Sequence, residues 1–133
     1  MSFTVKIPVR WADTDAYQHV NNSVYFRYFE EVRFQWQEGQ LRFKQWTKAH
    51  ALQFVIASQK ADYKKPVTYP NMLKIKQTPL MISNSSFTLA YEITLENDDN
   101  AYCTGEVKLV CFDPKTKRPY KMPDDIKSLL ENA

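Results

Sequence analysis

The sequence predicts an α+β fold in which one long helix packs on a curved antiparallel sheet of about five strands. Three patterns indicate this fold: hydrophobic alternation in residues 3–10, a helical period over residues 22–38, and four strand-like segments after His50. A single long helix among strands that follow one another in sequence is typical of a helix laid on one face of an antiparallel sheet. The 133 residues contain no repeat, linker or low-complexity tract, so we expect one domain over residues 1–133.

The first strand and the long helix are the clearest elements. Residues 3–10 alternate apolar and polar side chains, and Pro8 favours an edge position because proline cannot donate to a sheet ladder. Asn21 or Asn22 is predicted to cap the start of the helix, and Gly39 to end it in a left-handed conformation. The apolar face of the helix repeats every four residues, at Val24, Tyr28, Val32 and Trp36, with Tyr25 and Phe29 beside them.

The second half of the chain is predicted to be almost all strand. The strand-like segments cover residues 51–65, 72–82, 86–96 and 101–112, and turn residues separate them at 66–71, 83–85 and 97–100. Consecutive strands with short turns predict an antiparallel meander. Residues 42–48 are expected to add a short helical turn, and residues 123–130 a short capping helix. One long helix covers one face of such a sheet, so we expect a homodimer or homotetramer that protects an open edge.

Composition excludes several functional classes. The net charge of +3 is spread along the chain, which is too mild for a nucleic-acid-binding protein but suits an anionic small ligand. Neither glycine-rich phosphate-loop pattern occurs, and no metal-ligand spacing is present, so we expect no metal and no bound cofactor. No apolar run approaches the ~20 residues of a membrane span, and no secretory leader is evident, so a cytoplasmic location is expected. Cys103 and Cys111 would lie roughly 26 Å apart on one strand, which predicts free thiols.

The polar segment from Asp13 to Asn22 carries the most chemistry. It places two carboxylates, Asp13 and Asp15, shortly before the start of the long helix. A helix start offers unpaired N–H groups and a partial positive charge, which could polarise a carbonyl oxygen. A carboxylate folded back beside that point could attack a thioester carbon or activate water. The residues alone leave a second interpretation open, in which both aspartates only shape a turn.

The same segment resembles a known family. Asp-x-Asp, then His-Val-Asn-Asn, then Tyr, then Glu-x-x-Arg is similar to the 4-hydroxybenzoyl-CoA thioesterase family of hotdog proteins, and the resemblance covers nearly the whole chain. It implies a hotdog fold, hydrolysis of acyl-CoA without a cofactor, and Asp15 as the catalytic carboxylate with Asp13 in support. The N–H near Asn22 corresponds to the family's thioester-carbonyl site. Tyr25 and His19 correspond to positions that line the active site or support it.

Other charged residues offer rival or additional roles. A related hotdog branch uses a helix glutamate, which makes Glu30 or Glu31 the alternative carboxylate, although an ion pair between Glu30 and Arg33 is the simpler explanation. Lys64 and Lys65, at a strand end, are the predicted contacts for the phosphates of coenzyme A. The further candidates are Lys60, near the same strand end, and Lys74 and Lys76 on the next strand.

The function follows as a prediction with alternatives. The expected activity is acyl-CoA hydrolysis, with a medium or long fatty acyl chain favoured by resemblance and an aromatic acyl group left open. An acyl-carrier-protein thioesterase is a close variant. A hotdog module that binds acyl-CoA or acyl-carrier protein without turnover is a second reading, and a dehydratase a third. His19 and His50, the two histidines, do not match a dehydratase motif.

Overall fold

The computed structural model describes residues 2–133 and confirms the α+β prediction. All strand pairs are antiparallel, the sheet order is β1-β3-β4-β5-β2, and the two-residue β6 pairs the end of β5. The elements are β1 (Phe3–Pro8), a 3₁₀ turn (Trp11–Asp13), α1 (Val24–Glu38), α2 (Leu41–Ala49), β2 (Gln53–Tyr63), β3 (Met72–Ile82), β4 (Ser86–Leu95), β5 (Asp98–Asp113), β6 (Arg118–Pro119) and α3 (Asp124–Leu130).

The predicted meander is wrong at one connection. β3, β4 and β5 follow one another as expected, but β2 pairs with β5 and lies at the edge opposite β1. Residues 64–71 are therefore a crossover. At ~3.3 Å per residue they can span ~26 Å, enough to pass the ends of strands spaced ~4.8 Å apart. The crossover is held where it passes the loop before α1, because the Val20 N–H donates to the Val67 carbonyl at 2.8 Å. Turn-forming residues mark a chain reversal, and they do not specify which strand pairs next.

Several element boundaries also differ from the prediction. Ser23 occupies the N-cap of α1, and neither asparagine side chain caps the helix; Asn21 Oδ1 instead accepts the Ser23 N–H at 3.1 Å. Gly39 ends α1 with φ −85°, so no left-handed cap forms. α2 is longer than one turn, and β5 begins at Asp98, inside the predicted turn. Its first residues pair with β4 through the register Leu95↔Asp98, which leaves a two-residue turn.

The face of the sheet that α1 covers, here called the inner face, carries the core. The Phe29 ring stacks on Tyr91 at 4.6 Å between centroids. Below it, Gly105 on β5 allows the close approach: a Cβ there would lie 2.5 Å from the Phe29 ring and 2.8 Å from the Lys60 carbonyl oxygen. The core residues of α1 are Tyr25, Tyr28, Phe29, Val32 and Trp36.

The cover of the inner face extends to the start of β2, where Phe54 packs against Phe43 and Phe87, but it thins over the rest of that strand. On β5, Cys103 and Leu109 are buried, whereas their register partners on β2 are open: Tyr63 is 45% exposed and Ile56 42%. Ala61, the partner of Gly105, is half-buried. The inner-facing residues of β2 after Phe54 are here called the uncovered strip. They are Ile56, Gln59, Ala61 and Tyr63.

We expect Gly105→Ala to lower the free energy of unfolding by about 1–3 kcal/mol, the usual cost of adding a methyl group to a filled core. Gly39→Ala is the matched control, since the nearest heavy atom to its Cβ would be 3.6 Å away and its φ is negative. Chemical denaturation of both variants would measure the difference. Equal stability of the two would contradict the packing described at Gly105.

Candidate functional site

The loop before α1 is a closed turn that projects Asp15. Thr14 and Val20 form an isolated antiparallel bridge. Inside it, the Asp15 N–H donates to the His19 carbonyl at 2.8 Å, and the Gln18 N–H donates to the Asp15 carbonyl at 2.9 Å. Gln18 has φ +64°, a left-handed conformation that the tight turn requires. Asp15 and His19 are thereby held side by side.

The two aspartates of the loop have different environments. Asp13 is 3% exposed and accepts hydrogen bonds from the Arg10 N–H at 2.9 Å, from the Arg10 guanidinium at 3.2 Å and from the Tyr28 hydroxyl at 2.9 Å. Burial, followed by the hydrogen bond to Asp13, raises the pKa of Tyr28. Asp15 is exposed, and the one hydrogen bond that its carboxylate accepts from residues 2–133 comes from the Tyr17 N–H at 2.9 Å. Asp13 therefore ties the loop to α1, while the Asp15 carboxylate is free to meet a ligand.

One cleft of about 260 Å³ lies beside Asp15. All six residues that the sequence predicted for the site line it, and three more complete its wall. The predicted residues are Asp15, His19, Asn22, Tyr25, Lys64 and Lys65, and the others are Val20, Tyr63 and Pro66.

The N-terminus of α1 opens onto this cleft. The Asn22 N–H has no hydrogen-bond acceptor among residues 2–133, whereas the next N–H, that of Ser23, is taken by the Asn21 side chain. The Asn22 carbonyl accepts the Tyr63 hydroxyl at 3.1 Å, which fixes the peptide against the end of β2. A free N–H at the positive end of a fifteen-residue helix suits a carbonyl oxygen that gains negative charge.

Two tyrosines form the inner wall of the cleft. The Tyr25 and Tyr63 rings lie 5.1 Å apart between centroids. Burial, followed by the nearby Cys103, raises the pKa of Tyr25 to about 12, so its hydroxyl stays protonated and can donate a hydrogen bond. Burial also raises the pKa of the Cys103 thiol to about 12, which makes it a poor nucleophile near neutral pH.

The two lysines lie at the outer rim. The Lys64 and Lys65 N–H groups both donate to the Tyr102 carbonyl, at 2.9 and 3.2 Å, so the backbone is fixed while the side chains are exposed. The Lys65 ammonium lies 5.6 Å from the centre of the Tyr102 ring. The Tyr102 hydroxyl donates to Asp98 at 2.6 Å, and this hydrogen bond is the main cause of a lowered pKa at Asp98.

The remaining charged candidates lie elsewhere. Glu30 is exposed on α1 and does not line the cleft, and the predicted ion pair with Arg33 is not formed. Arg33 turns instead into the core and reaches Tyr91, because its position on the helix lies next to the buried stripe. Lys60 pairs with Glu106 at 3.0 Å on the outer face of the sheet. Lys74 and Lys76 lie on β3, away from the cleft.

Tyr63 was missed as a site residue from sequence. It comes directly before Lys64 and Lys65 in the sequence Tyr-Lys-Lys-Pro, but the sequence does not show that this strand end meets the start of α1. The only available signal was its position next to Lys64. Its contacts to Asn22 and Tyr25 depend on the crossover that follows it.

Comparison with known proteins gives a consistent result. The family model described as the thioesterase-like superfamily matches residues 9–130. The long-chain acyl-CoA thioesterase FadM of Escherichia coli is 31% identical over 95% of this chain and 95% of its own. A 1,4-dihydroxy-2-naphthoyl-CoA hydrolase of Nostoc punctiforme is 25% identical over 98% of this chain and 88% of its own. The crystal structure of YbaW, a probable thioesterase of Escherichia coli, superimposes with a TM-score of 0.87 at 30% identity, covering 96% of each chain.

Proposed function

The chain belongs to the thioesterase-like superfamily and has its hotdog fold, and on that premise we propose that it hydrolyses acyl-CoA thioesters to a free acid and coenzyme A. The observation that carries the proposal is the cleft that is lined both by an exposed carboxylate, Asp15, and by Asn22, whose N–H at the start of α1 is free. The narrower assignment to the 4-hydroxybenzoyl-CoA thioesterase family stays a prediction from the Asp-x-Asp and His-Val-Asn-Asn motif.

The residues of the cleft supply the parts that thioester hydrolysis needs. The thioester carbonyl oxygen accepts the Asn22 N–H, and the positive end of α1 stabilises the charge that develops on it. Asp15 then either activates a water molecule or attacks the carbonyl carbon itself, and both routes use an ionised carboxylate. The Tyr25 hydroxyl, which burial keeps protonated, is available at the inner wall to donate a hydrogen bond to the bound substrate.

The acyl group and its carrier are the finer part of the proposal. FadM is named for long-chain acyl-CoA, which supports a fatty acyl group here. The Nostoc relative is named for an aromatic acyl group, so the acyl class is not fixed by relatedness. Coenzyme A is the preferred carrier because Lys64 and Lys65 stand exposed at the rim, where its phosphates would lie. An acyl-carrier protein is the second candidate. We further propose a cytoplasmic enzyme, on the strength of two buried, free cysteines.

We also propose that two copies associate through β2. This strand is eleven residues long and forms an open edge, and the uncovered strip beside it exposes apolar side chains. Pairing two such edges across a two-fold axis would satisfy their backbone groups. Because Tyr63 and Lys64 lie at the end of β2, the cleft would then adjoin the subunit boundary.

Asp15→Asn should lower kcat/KM for acyl-CoA by at least ~100-fold, because removing a general base or nucleophile costs that much or more. The fold should persist, since an amide oxygen still accepts the Tyr17 N–H. Asp13→Asn is the matched variant: it should lower the free energy of unfolding by about 1–3 kcal/mol by placing an amide among donors. Thiol release and chemical denaturation measure the two effects. Near-normal turnover by Asp15→Asn, with Glu30→Gln inactive, would show that the helix carboxylate does the chemistry.

The double change Lys64→Ala with Lys65→Ala should raise KM for acyl-CoA a few-fold and leave kcat nearly unchanged, since each exposed ammonium–phosphate contact contributes only ~0.2–1 kcal/mol in both ground and transition states. The double change Lys115→Ala with Lys117→Ala, at an exposed turn, removes the same charge and should leave KM unchanged. A thioester without the nucleotide should not respond to either double change. A fall in kcat on both substrates would place the two lysines at the chemistry instead.

In solution we expect a dimer, or a dimer of dimers, at micromolar concentration. Sedimentation velocity would show twice or four times the mass of the chain. A fully active monomer at that concentration would refute pairing through β2.

A further inference from the structure

A hydrogen bond from the end of β2 reaches the helix start that the proposed chemistry uses. Tyr63 is the last residue of β2, and its hydroxyl donates to the Asn22 carbonyl at 3.1 Å. No other donor among residues 2–133 reaches that carbonyl. The proposed chemistry gives a role to the Asn22 N–H and none to the Tyr63 hydroxyl, although both residues line the same cleft.

The two peptide groups on either side of Asn22 are held by different contacts. The group before it is fixed from within the loop and the helix: the Asn21 N–H donates to the Asp13 carbonyl, and the Val24 N–H donates to the Asn21 carbonyl, both at 2.9 Å. The group after it carries the Asn22 carbonyl, and Tyr63 supplies the contact from outside the loop. Because Asn22 lies between the two groups, the position of its backbone depends on both sets of contacts.

The strand end that carries Tyr63 is itself held in place. The two residues after Tyr63 both donate their N–H groups to the Tyr102 carbonyl. Further along the crossover, an isolated antiparallel bridge joins Thr68 to His19 of the loop. The Tyr63 ring lies 5.1 Å from the Tyr25 ring between centroids. The hydroxyl is therefore presented to Asn22 from a backbone that is tied to the neighbouring strand and to the loop.

The Tyr63 hydroxyl remains a donor under the conditions in which an ionised carboxylate can act. Burial, followed by the nearby Cys103, raises the pKa of Tyr63 above its ordinary value, so the hydroxyl keeps its proton near neutral pH. A carbonyl that accepts this proton has a preferred orientation, since hydrogen bonds weaken steeply away from linear geometry.

The orientation of the Asn22 peptide matters because an oxyanion is stabilised only by donors aimed at the place where it forms. Removing one such donor lowers kcat by ~100- to 1,000-fold in enzymes of acyl transfer. Loosening a donor without removing it should cost part of that factor, because small misplacements of reacting groups already slow the chemical step.

From these contacts we propose that Tyr63 is a positioning residue for thioester hydrolysis. Its hydroxyl holds the backbone at Asn22 so that the free N–H meets the carbonyl oxygen that becomes negative in the transition state. This inference rests on the proposed thioesterase function. Because Tyr63 acts through Asn22 and not through the substrate, its hydroxyl affects the rate of the chemical step and leaves ground-state binding unchanged.

The test removes this hydroxyl and compares kcat with KM. Tyr63→Phe keeps the ring beside Tyr25, and we expect kcat for acyl-CoA to fall about tenfold while KM stays within about twofold, a fraction of the loss of a whole oxyanion donor. Tyr69→Phe is the matched control. Tyr69 is equally exposed, at 45%, lies outside the cleft, and has no partner for its hydroxyl among residues 2–133. Its kcat should equal that of the wild type.

Three further measurements separate positioning from a general structural role. A trifluoromethyl ketone analogue of acyl-CoA, which forms a tetrahedral centre at its carbonyl carbon, should bind Tyr63→Phe about tenfold more weakly, whereas an S-alkyl thioether of coenzyme A should bind equally well. A pantetheine thioester without the nucleotide should show the same fall in kcat. The pH dependence of kcat/KM should keep its shape, since Tyr63 transfers no proton.

Each other outcome would overturn the inference. A raised KM with unchanged kcat would make Tyr63 a substrate contact, and a displaced pH profile would assign it to proton transfer. Equal falls in kcat for Tyr63→Phe and Tyr69→Phe, or a loss of fold in Tyr63→Phe by chemical denaturation, would show that the hydroxyl supports the structure at large. Unchanged kcat in Tyr63→Phe would overturn the inference and leave the proposed function standing, whereas a wild type that hydrolyses no thioester would remove the proposed function itself.

Discussion

The buried carboxylate of Asp13 is the interaction on which the rest of the site depends. It joins the end of β1, through Arg10, to the first turns of α1, through Tyr28. Loops usually have few constraints on their conformation. In this loop, however, Asp13 is hydrogen-bonded both to Arg10 and to Tyr28, two residues before Asp15. The position of the exposed Asp15 carboxylate therefore depends on the hydrogen bonds of the buried Asp13 carboxylate. The end of β1, the start of α1 and the cleft are thus connected through one side chain.

Asp13 and Asp15 are two residues of the same type, two positions apart, and they differ in role because one is buried and the other is exposed. A carboxylate surrounded by donors is an ion in a fixed setting, unable to change partners without loss of stability. A carboxylate at the surface, with one local hydrogen bond, keeps most of its lone pairs for other atoms. The same separation occurs among the cations, because Arg33 is enclosed whereas Lys64 and Lys65 are open to solvent.

Much of the fold could be predicted from local pattern, and the failures share a cause. The alternation in β1, the apolar face of α1 and the strand segments all express periodicities that the backbone imposes. Four residues of the site motif and the two lysines of the strand end likewise line one cleft. The β2-to-β3 crossover, the inward turn of Arg33 and the role of Tyr63 depend on contacts between distant segments. Spacing favoured a Glu30–Arg33 pair, but the space beside Tyr91 determined where the guanidinium lies. Gly39 shows the same limit at short range, since a glycine permits a left-handed cap without requiring one.

The small volume of the cleft has a consequence for the energetics of substrate binding. At about 260 Å³ it falls below the ~300–1,000 Å³ that usually encloses a small ligand, so one chain can surround only the reacting end of an acyl thioester. The remainder of the acyl group must find its cover on the uncovered strip, where apolar area is already exposed to water. Binding should therefore release ordered hydration water chiefly from β2, and a negative change in heat capacity should grow with acyl length while the cleft itself contributes a constant share.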